Sequence, residues 1–234
     1  MKRNMKSVLI TGSGKGLGAN LALVFAKNGY DIILHGRDEK GLATVKKAVL
    51  SNGVECEIVM GDITSNLAFN TIDKLYETAE EKNLDVLINN AGAHVSKPFQ
   101  DMDIEELETI LNVNLIAPIQ LIKRIYPIFA FKKSGLIINI NSVAGKIASE
   151  LEAAYCASKY GLRGFAESLQ FEANKDGVQI INVYPGAMQT AMNEHREDYR
   201  QLIKTDEAAE AIFRTCKDYK SLKITEINIQ RRVY

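Results

Sequence analysis

The chain has 234 residues, 46% hydrophobic and 25% charged, an ordinary composition for one globular domain with a sizeable core. Lys plus Arg and Asp plus Glu balance at 29 each, so no basic field draws the chain to nucleic acid or an anionic membrane, and the expected partner is a small molecule. Three widely separated cysteines, Cys56, Cys156 and Cys216, suit neither a disulfide framework nor a zinc site, and no apolar stretch approaches a signal segment or a membrane span, so the cytoplasm is expected, without metal or membrane.

The first predicted strand, residues 7–11 (SVLIT), ends in TGSGKGLG, residues 11–18, and runs at once into an amphipathic helix from Ala19. Glycines at such a place let the backbone turn tightly and approach a pyrophosphate, whose charge then rests on amides at the helix N-terminus. Gly12, Ser13, Gly14, Lys15, Gly16, Leu17 and Gly18 are therefore candidate dinucleotide contacts. A second strand at 31–35 (DIILH) leads to Gly36 and Arg37. An acidic side chain at that strand end would bind a ribose 2′-hydroxyl and a basic one a 2′-phosphate. No carboxylate stands on the strand end, so Arg37, helped by Lys15, makes NADP (NADPH) the preferred cofactor and NAD the less favoured one. Asp38 stays open between a cap for the next helix and a partner for a ribose hydroxyl.

Further strands are predicted at 55–60, 85–89, 136–140, 179–184 and 223–229, with helix-length amphipathic segments between them, among them one long helix over about 104–131. Seven strands alternating with helices, in runs that look buried on both faces, predict an α/β fold: one Rossmann-type doubly wound parallel sheet with helices on both faces, a single domain over residues 1–234.

Within YCASK, residues 155–159, Tyr155 and Lys159 are four apart and share a helix face. A lysine held beside a tyrosine favours the phenolate and is expected to lower the phenol's pKa toward the working range of a general acid. His94, after NNAGA, either borders a substrate pocket or is structural.

These elements together resemble the short-chain dehydrogenase/reductase family, in its single-domain branch and similar to 3-oxoacyl-carrier-protein reductase-like enzymes. The resemblance rests on TGSGKGLG, on Gly61 and Asp62 followed by Ile63, on NNAG (89–92), on Asn114 in NVNL, on Ser142 in INSVAG thirteen residues before Tyr155, on Lys159, and on PGAMQT (185–190). It implies that Asp62 and Ile63 contact the adenine, that Asn90, Ala91 and Gly92 pass beside the adenosine, and that Lys159 reaches the nicotinamide ribose. Pro185, Gly186 and Thr190 would then border the nicotinamide. Catalysis would fall to Tyr155 as proton donor, Ser142 on the substrate oxygen, Lys159, and Asn114 holding a water that links Lys159 to bulk. A homodimer or homotetramer is expected, as in the family. The ending ITEINIQRRVY departs from the glycine-rich ending of many 3-oxoacyl-carrier-protein reductases, which weighs against a role in fatty acid synthesis.

A short, charged substrate lid is expected over about 187–205, where His195, Arg196 and Arg200 suit a polar or anionic substrate or are solvated helix charges. The expected activity is NADPH-dependent reduction of a ketone or aldehyde to an alcohol. The alternatives are an NAD-linked alcohol dehydrogenase working oxidatively and a non-catalytic NADP-binding regulatory protein, against which the complete Ser142, Tyr155 and Lys159 set argues.

Overall fold

The computed structural model describes residues 6–65, 71–216 and 222–232. The opening residues 1–5 and the last two of the carboxyl end fall outside these. Seven parallel strands form one sheet: β1 (Ser7–Ile10), β2 (Asp31–Gly36), β3 (Cys56–Met60), β4 (Val86–Asn89), β5 (Gly135–Ile140), β6 (Val178–Pro185) and β7 (Glu226–Ile229). Their order across the sheet is β3-β2-β1-β4-β5-β6-β7. The chain therefore reverses its winding between β1 and β4, and the crevice outside their carboxyl ends is where such sheets bind ligands.

Helices α1 (Gly16–Lys27), α2 (Glu39–Leu50), α3 (Thr71–Glu81), α4 (Ile104–Leu111), α5 (Ala117–Lys132), α6 (Ala153–Ala173) and α7 (Thr205–Arg214) cover both faces. Alternation along β1 sorts the two cores. Val8 and Ile10 pack with α1, α2 and α7, whereas Leu9 packs with α3, α5 and α6. Such strands are buried on both sides, which is why their sequences are continuous apolar runs rather than alternating ones.

The single long helix expected over 104–131 is divided. A π-helical turn, Asn112–Ile116, separates α4 from α5. Such turns are rare and concentrate at functional sites. The reason here is Asn114, which is only 1% exposed and whose side-chain amide is claimed by the loop after β4.

A second feature of the sheet is unmarked in the sequence. Asn89, Asn139 and Asn182 stand opposite one another on β4, β5 and β6. They form a buried ladder in which Asn89 Nδ2 donates to Asn139 Oδ1 at 2.9 Å and Asn139 Nδ2 to Asn182 Oδ1 at 3.3 Å. Each amide satisfies its neighbour, which offsets the cost of burying polar groups in the middle of the sheet.

Candidate active site

The glycine turn after β1 is held by hydrogen bonds on every side. Thr11 Oγ1 accepts from the backbone N–H of Asn90 and Ala91, both at 3.0 Å. The Asn90 side chain donates back to the carbonyls of Thr11 and Gly12 at 2.9 and 3.0 Å. Gly12 and Gly16 take φ of +64° and +58°, a region open to glycine at little cost. At Gly18 a Cβ would lie 2.4 Å from the Gly12 oxygen and 2.5 Å from Asn90 Nδ2, so helix and strand touch backbone to backbone. Helix α1 begins with Lys15 extended before it and no side chain capping its first turn, which leaves its leading N–H groups for an anion. This donor set suits a pyrophosphate.

Ser13 is different from expectation in placement. Its hydroxyl is turned onto β2, accepting from His35 N at 2.9 Å and donating to His35 O at 3.2 Å, so it braces the turn. The cleft beyond the turn has a volume of about 1070 Å³. Its walls include Gly12, Lys15, Gly16, Leu17, Gly18, Arg37, Asp62, Ile63, Asn90, Ala91, Gly92, Ser142, Tyr155, Lys159, Pro185, Gly186 and Thr190, whereas Ser13, Gly14 and Asn114 lie behind them.

At the ends of β2 and β3, the largely exposed Arg37 Nη1 lies 3.3 Å from Asp62 Oδ2. Asp62 is kept below the ordinary carboxylate range, mainly by hydrogen bonds from the Thr64 N–H and hydroxyl, with Arg37 adding to the effect. The Arg37 pair is open to water and therefore weak. His35 beneath it is neutral, its pKa pushed down to about 4 by burial.

The other end of the cleft holds Ser142, after β5, and Tyr155 and Lys159 on α6. Asn141 positions Ser142: its Oδ1 accepts from Ser142 N at 2.9 Å and its Nδ2 donates to Lys159 O at 3.1 Å. Lys159 is only 4% exposed. Its Nζ donates to the Ile140 carbonyl at 3.0 Å and stands 5.6 Å from the centre of the Tyr155 ring. Burial pulls the lysine down to about 8. It pushes the Tyr155 phenol up to about 12, with Ser142 opposing the rise and Glu152 adding to it. The expected lowering of the phenol by its lysine is thus not what the geometry produces, because desolvation of both groups outweighs their mutual attraction.

The Asn114 side chain is held on the loop after β4 and on α6. Its Oδ1 accepts from Ala93 N and its Nδ2 donates to Ala93 O, both at 2.8 Å, with a second bond to Ser158 Oγ at 3.2 Å. Both amide hydrogens are spent on bracketing the β4 loop to α6, so the side chain offers no free N–H to a water.

The model of the short chain dehydrogenase family matches residues 6–201. The chain belongs to the short-chain dehydrogenase family. The chain is 29% identical to an uncharacterized oxidoreductase of Staphylococcus saprophyticus over 231 residues, 96% of this chain and 97% of the relative. It is 33% identical to the ketoacyl reductase HetN of a Nostoc species over 190 residues, 80% of this chain and 65% of that protein. Among solved structures, a metagenomic short-chain oxidoreductase in complex with NADP superposes with a TM-score of 0.86 at 27% identity, over 99% of this chain and 100% of its own.

Residues 187–205 border the cleft and include two short 3₁₀ turns, Ala191–Asn193 and Tyr199–Gln201. The ends of this segment are tied together by Gln189 N donating to Ile203 O at 2.9 Å and Ile203 N to Ala187 O at 3.2 Å. Thr190 Cγ2 reaches to 3.5 Å from where a Cβ on Gly16 would stand, so the segment spans the cleft to the glycine turn. His195 and Arg196 line the cleft and Arg200 does not. Arg196 is committed to Asp198 at 2.9 and 3.2 Å, and Arg231 shares that carboxylate at 2.8 Å. Among the described residues no helix is long and apolar enough to cross a membrane. None of their His, Cys, Asp and Glu groups forms a cluster of three or more able to hold a metal ion.

Thr11, Asn141 and Ser158 stand inside the quoted motifs without an assigned role, and Glu152 lies outside them. Glu152 carried a local signal of its own, since it lies three residues before Tyr155 at the start of the same helix. The others act through contacts between distant segments.

Proposed function

We propose that this chain, as one cofactor-binding and catalytic domain over residues 1–234, is an NADPH-dependent reductase of a ketone or aldehyde acting in the cytoplasm. The observation that carries this reading is the half-buried Tyr155 phenol beside Ser142 and Lys159, on the wall of a cleft whose far end is an uncapped helix N-terminus behind glycines. A nucleotide sensor needs no proton donor.

The pyrophosphate would rest on the amides of Gly16, Leu17 and Gly18. Arg37 and Lys15 would take a ribose 2′-phosphate, because Arg37's exposed pair with Asp62 is too weak to compete with a dianion. Asp62 and Ile63 would border the adenine, and Pro185, Gly186 and Thr190 the nicotinamide. A nicotinamide cofactor held there would supply the hydride to the carbonyl carbon. As that bond forms, the carbonyl π electrons move onto oxygen, which takes the Tyr155 proton to give the alcohol. Ser142 Oγ donates to the same oxygen while charge builds there. Lys159 holds its charge below about pH 8; it stabilises the phenolate left behind and, being the stronger acid of the two, drives its reprotonation. Asn114 keeps α6 and the β4 loop in register, and the expected relay water would meet it through backbone or the spare lone pair of Oδ1. The exposed Phe131 and Phe171, near the ends of α5 and α6, support association with a second copy in a homodimer or homotetramer.

Nicotinamide absorbance tests the reading, followed with NADPH and with NADH over simple ketones, hydroxy-ketones, keto sugars and 3-oxoacyl thioesters. Turnover preferring NADPH and lost in Tyr155→Phe is expected. Turnover that survives in the variant overturns the proton-donor role, and preference for NADH overturns the role of Arg37.

A further inference from the structure

Beside Tyr155, the cleft wall carries a pair of titratable groups for which the reaction above has no use. His94 Nε2 lies 2.7 Å from Glu152 Oε1, and the edge of the His94 ring meets the Tyr155 ring with centroids 4.8 Å apart at 89°. Both side chains line the cleft and keep 17% and 21% of their surface open to it.

The pair is not needed to fasten the loop it sits on. Ala93 is already bracketed by Asn114, and Lys97 N donates to Leu151 O at 3.0 Å, so the loop is tied on both sides of His94. Glu152 Oε2 has no partner among the described residues. Ser96, Ser149 and Asn193 line the same cleft. A partly buried carboxylate with one free oxygen beside the proton donor costs desolvation that a hydrocarbon substrate would only increase, whereas a substrate hydroxyl would recover it. Its charge repels an anionic substrate, and the cation that would offset it, Arg196, is bound to Asp198.

We infer that His94 and Glu152 form the substrate-recognition element of the site, accepting a hydrogen bond from a hydroxyl next to the reacting carbonyl, so that the substrate is a small hydroxy-ketone or hydroxy-aldehyde. The inference rests on the reductase reading above. It narrows the polar-or-anionic expectation for the lid to a neutral, hydroxyl-bearing class.

Hydroxyacetone and butanone differ only by hydroxyl for methyl and make the test, with NADPH, in wild type, Glu152→Leu and Glu152→Gln. Wild type is expected to favour hydroxyacetone in kcat/KM. In Glu152→Leu that preference drops at least about ten-fold, mainly through the KM for hydroxyacetone, the loss expected when a hydrogen bond to a charged group is removed. Glu152→Gln, which keeps a neutral acceptor and the His94 contact, shows a smaller drop in the same direction and carries the test should the leucine variant fail to fold. The greater intrinsic reactivity of the hydroxy-ketone is common to all three proteins and cancels in the change of preference. An unchanged preference, or equal losses on both ketones, overturns the inference while butanone turnover leaves the reductase reading intact. Should wild type reduce neither ketone, that reading fails for small ketones, and the recognition role is decided by the His94 imidazole NMR signal, assigned with His94→Phe. A shift with propane-1,2-diol and none with butan-2-ol supports the inference, and no shift with either overturns it.

Discussion

The two ends of the cleft are built in opposite ways. At the glycine turn the wall is backbone, and its few side chains, Thr11, Ser13 and Asn90, are spent on bracing that backbone against β2 and the β4 loop. At the other end the wall is side chains, Ser142, Tyr155, Lys159, His94 and Glu152, under a lid tied mainly to itself. A backbone site tolerates no added atom but makes no chemical choice, whereas a side-chain site tolerates substitution in its fold and loses its chemistry. Changes at the glycine end should therefore cost stability and cofactor together, and changes at the far end should cost turnover or substrate affinity.

The largest effect expected is at the far end. Tyr155→Phe removes only the proton donor and should lower kcat by about 10³-fold, with cofactor affinity measured by fluorescence titration nearly unchanged; a comparable loss of cofactor affinity would break the distinction. Lys159→Met should lower kcat by roughly 10²-fold without a matching loss of stability at pH 7. The sign follows from burial: folding lowers the lysine from its ordinary 10.5 to about 8, so between those values the unfolded chain binds more protons and wild-type stability rises with pH. Denaturant melts should show wild type gaining on the variant from about pH 8 toward 10.5, and a gain in the opposite direction would mean that the lysine is not buried as a cation. The rate of reduction in wild type should fall as pH rises through about 8, where Lys159 loses its charge.

Gly18→Ala probes the other end. Its new methyl would meet the Gly12 oxygen at 2.4 Å, and overpacking of this kind costs about 1–3 kcal/mol, so both the melting midpoint and NADPH affinity should fall. Loss of only one would separate bracing from binding. Arg37→Leu should raise the KM for NADPH by roughly 10- to 100-fold, the worth of charged hydrogen bonds to phosphate, and leave that for NADH almost unmoved. The smallest effect belongs to the lid. Asp198→Asn weakens the pairs to Arg196 and Arg231, exposed contacts worth at most about 1 kcal/mol, so KM should shift a few-fold while the melting midpoint stays in place.

Local pattern carried most of the fold. The alternation of seven apolar runs with amphipathic segments, the glycines after the first run and the four-residue spacing of Tyr155 and Lys159 all depend on neighbours a few residues away. They could be recovered from the sequence because one turn of helix or one strand end decides them. What only the tertiary structure decided depends on segments that meet from far along the chain. Register across three strands turned Asn89, Asn139 and Asn182 into a buried ladder. The Asn114 amide was committed to Ala93 through a π-helical turn, and the Ser13 hydroxyl to His35. Burial from all sides set the sign of the Tyr155 shift. A spacing of four residues brings a charge near a phenol, but desolvation is a property of everything packed around both, and it was the larger effect.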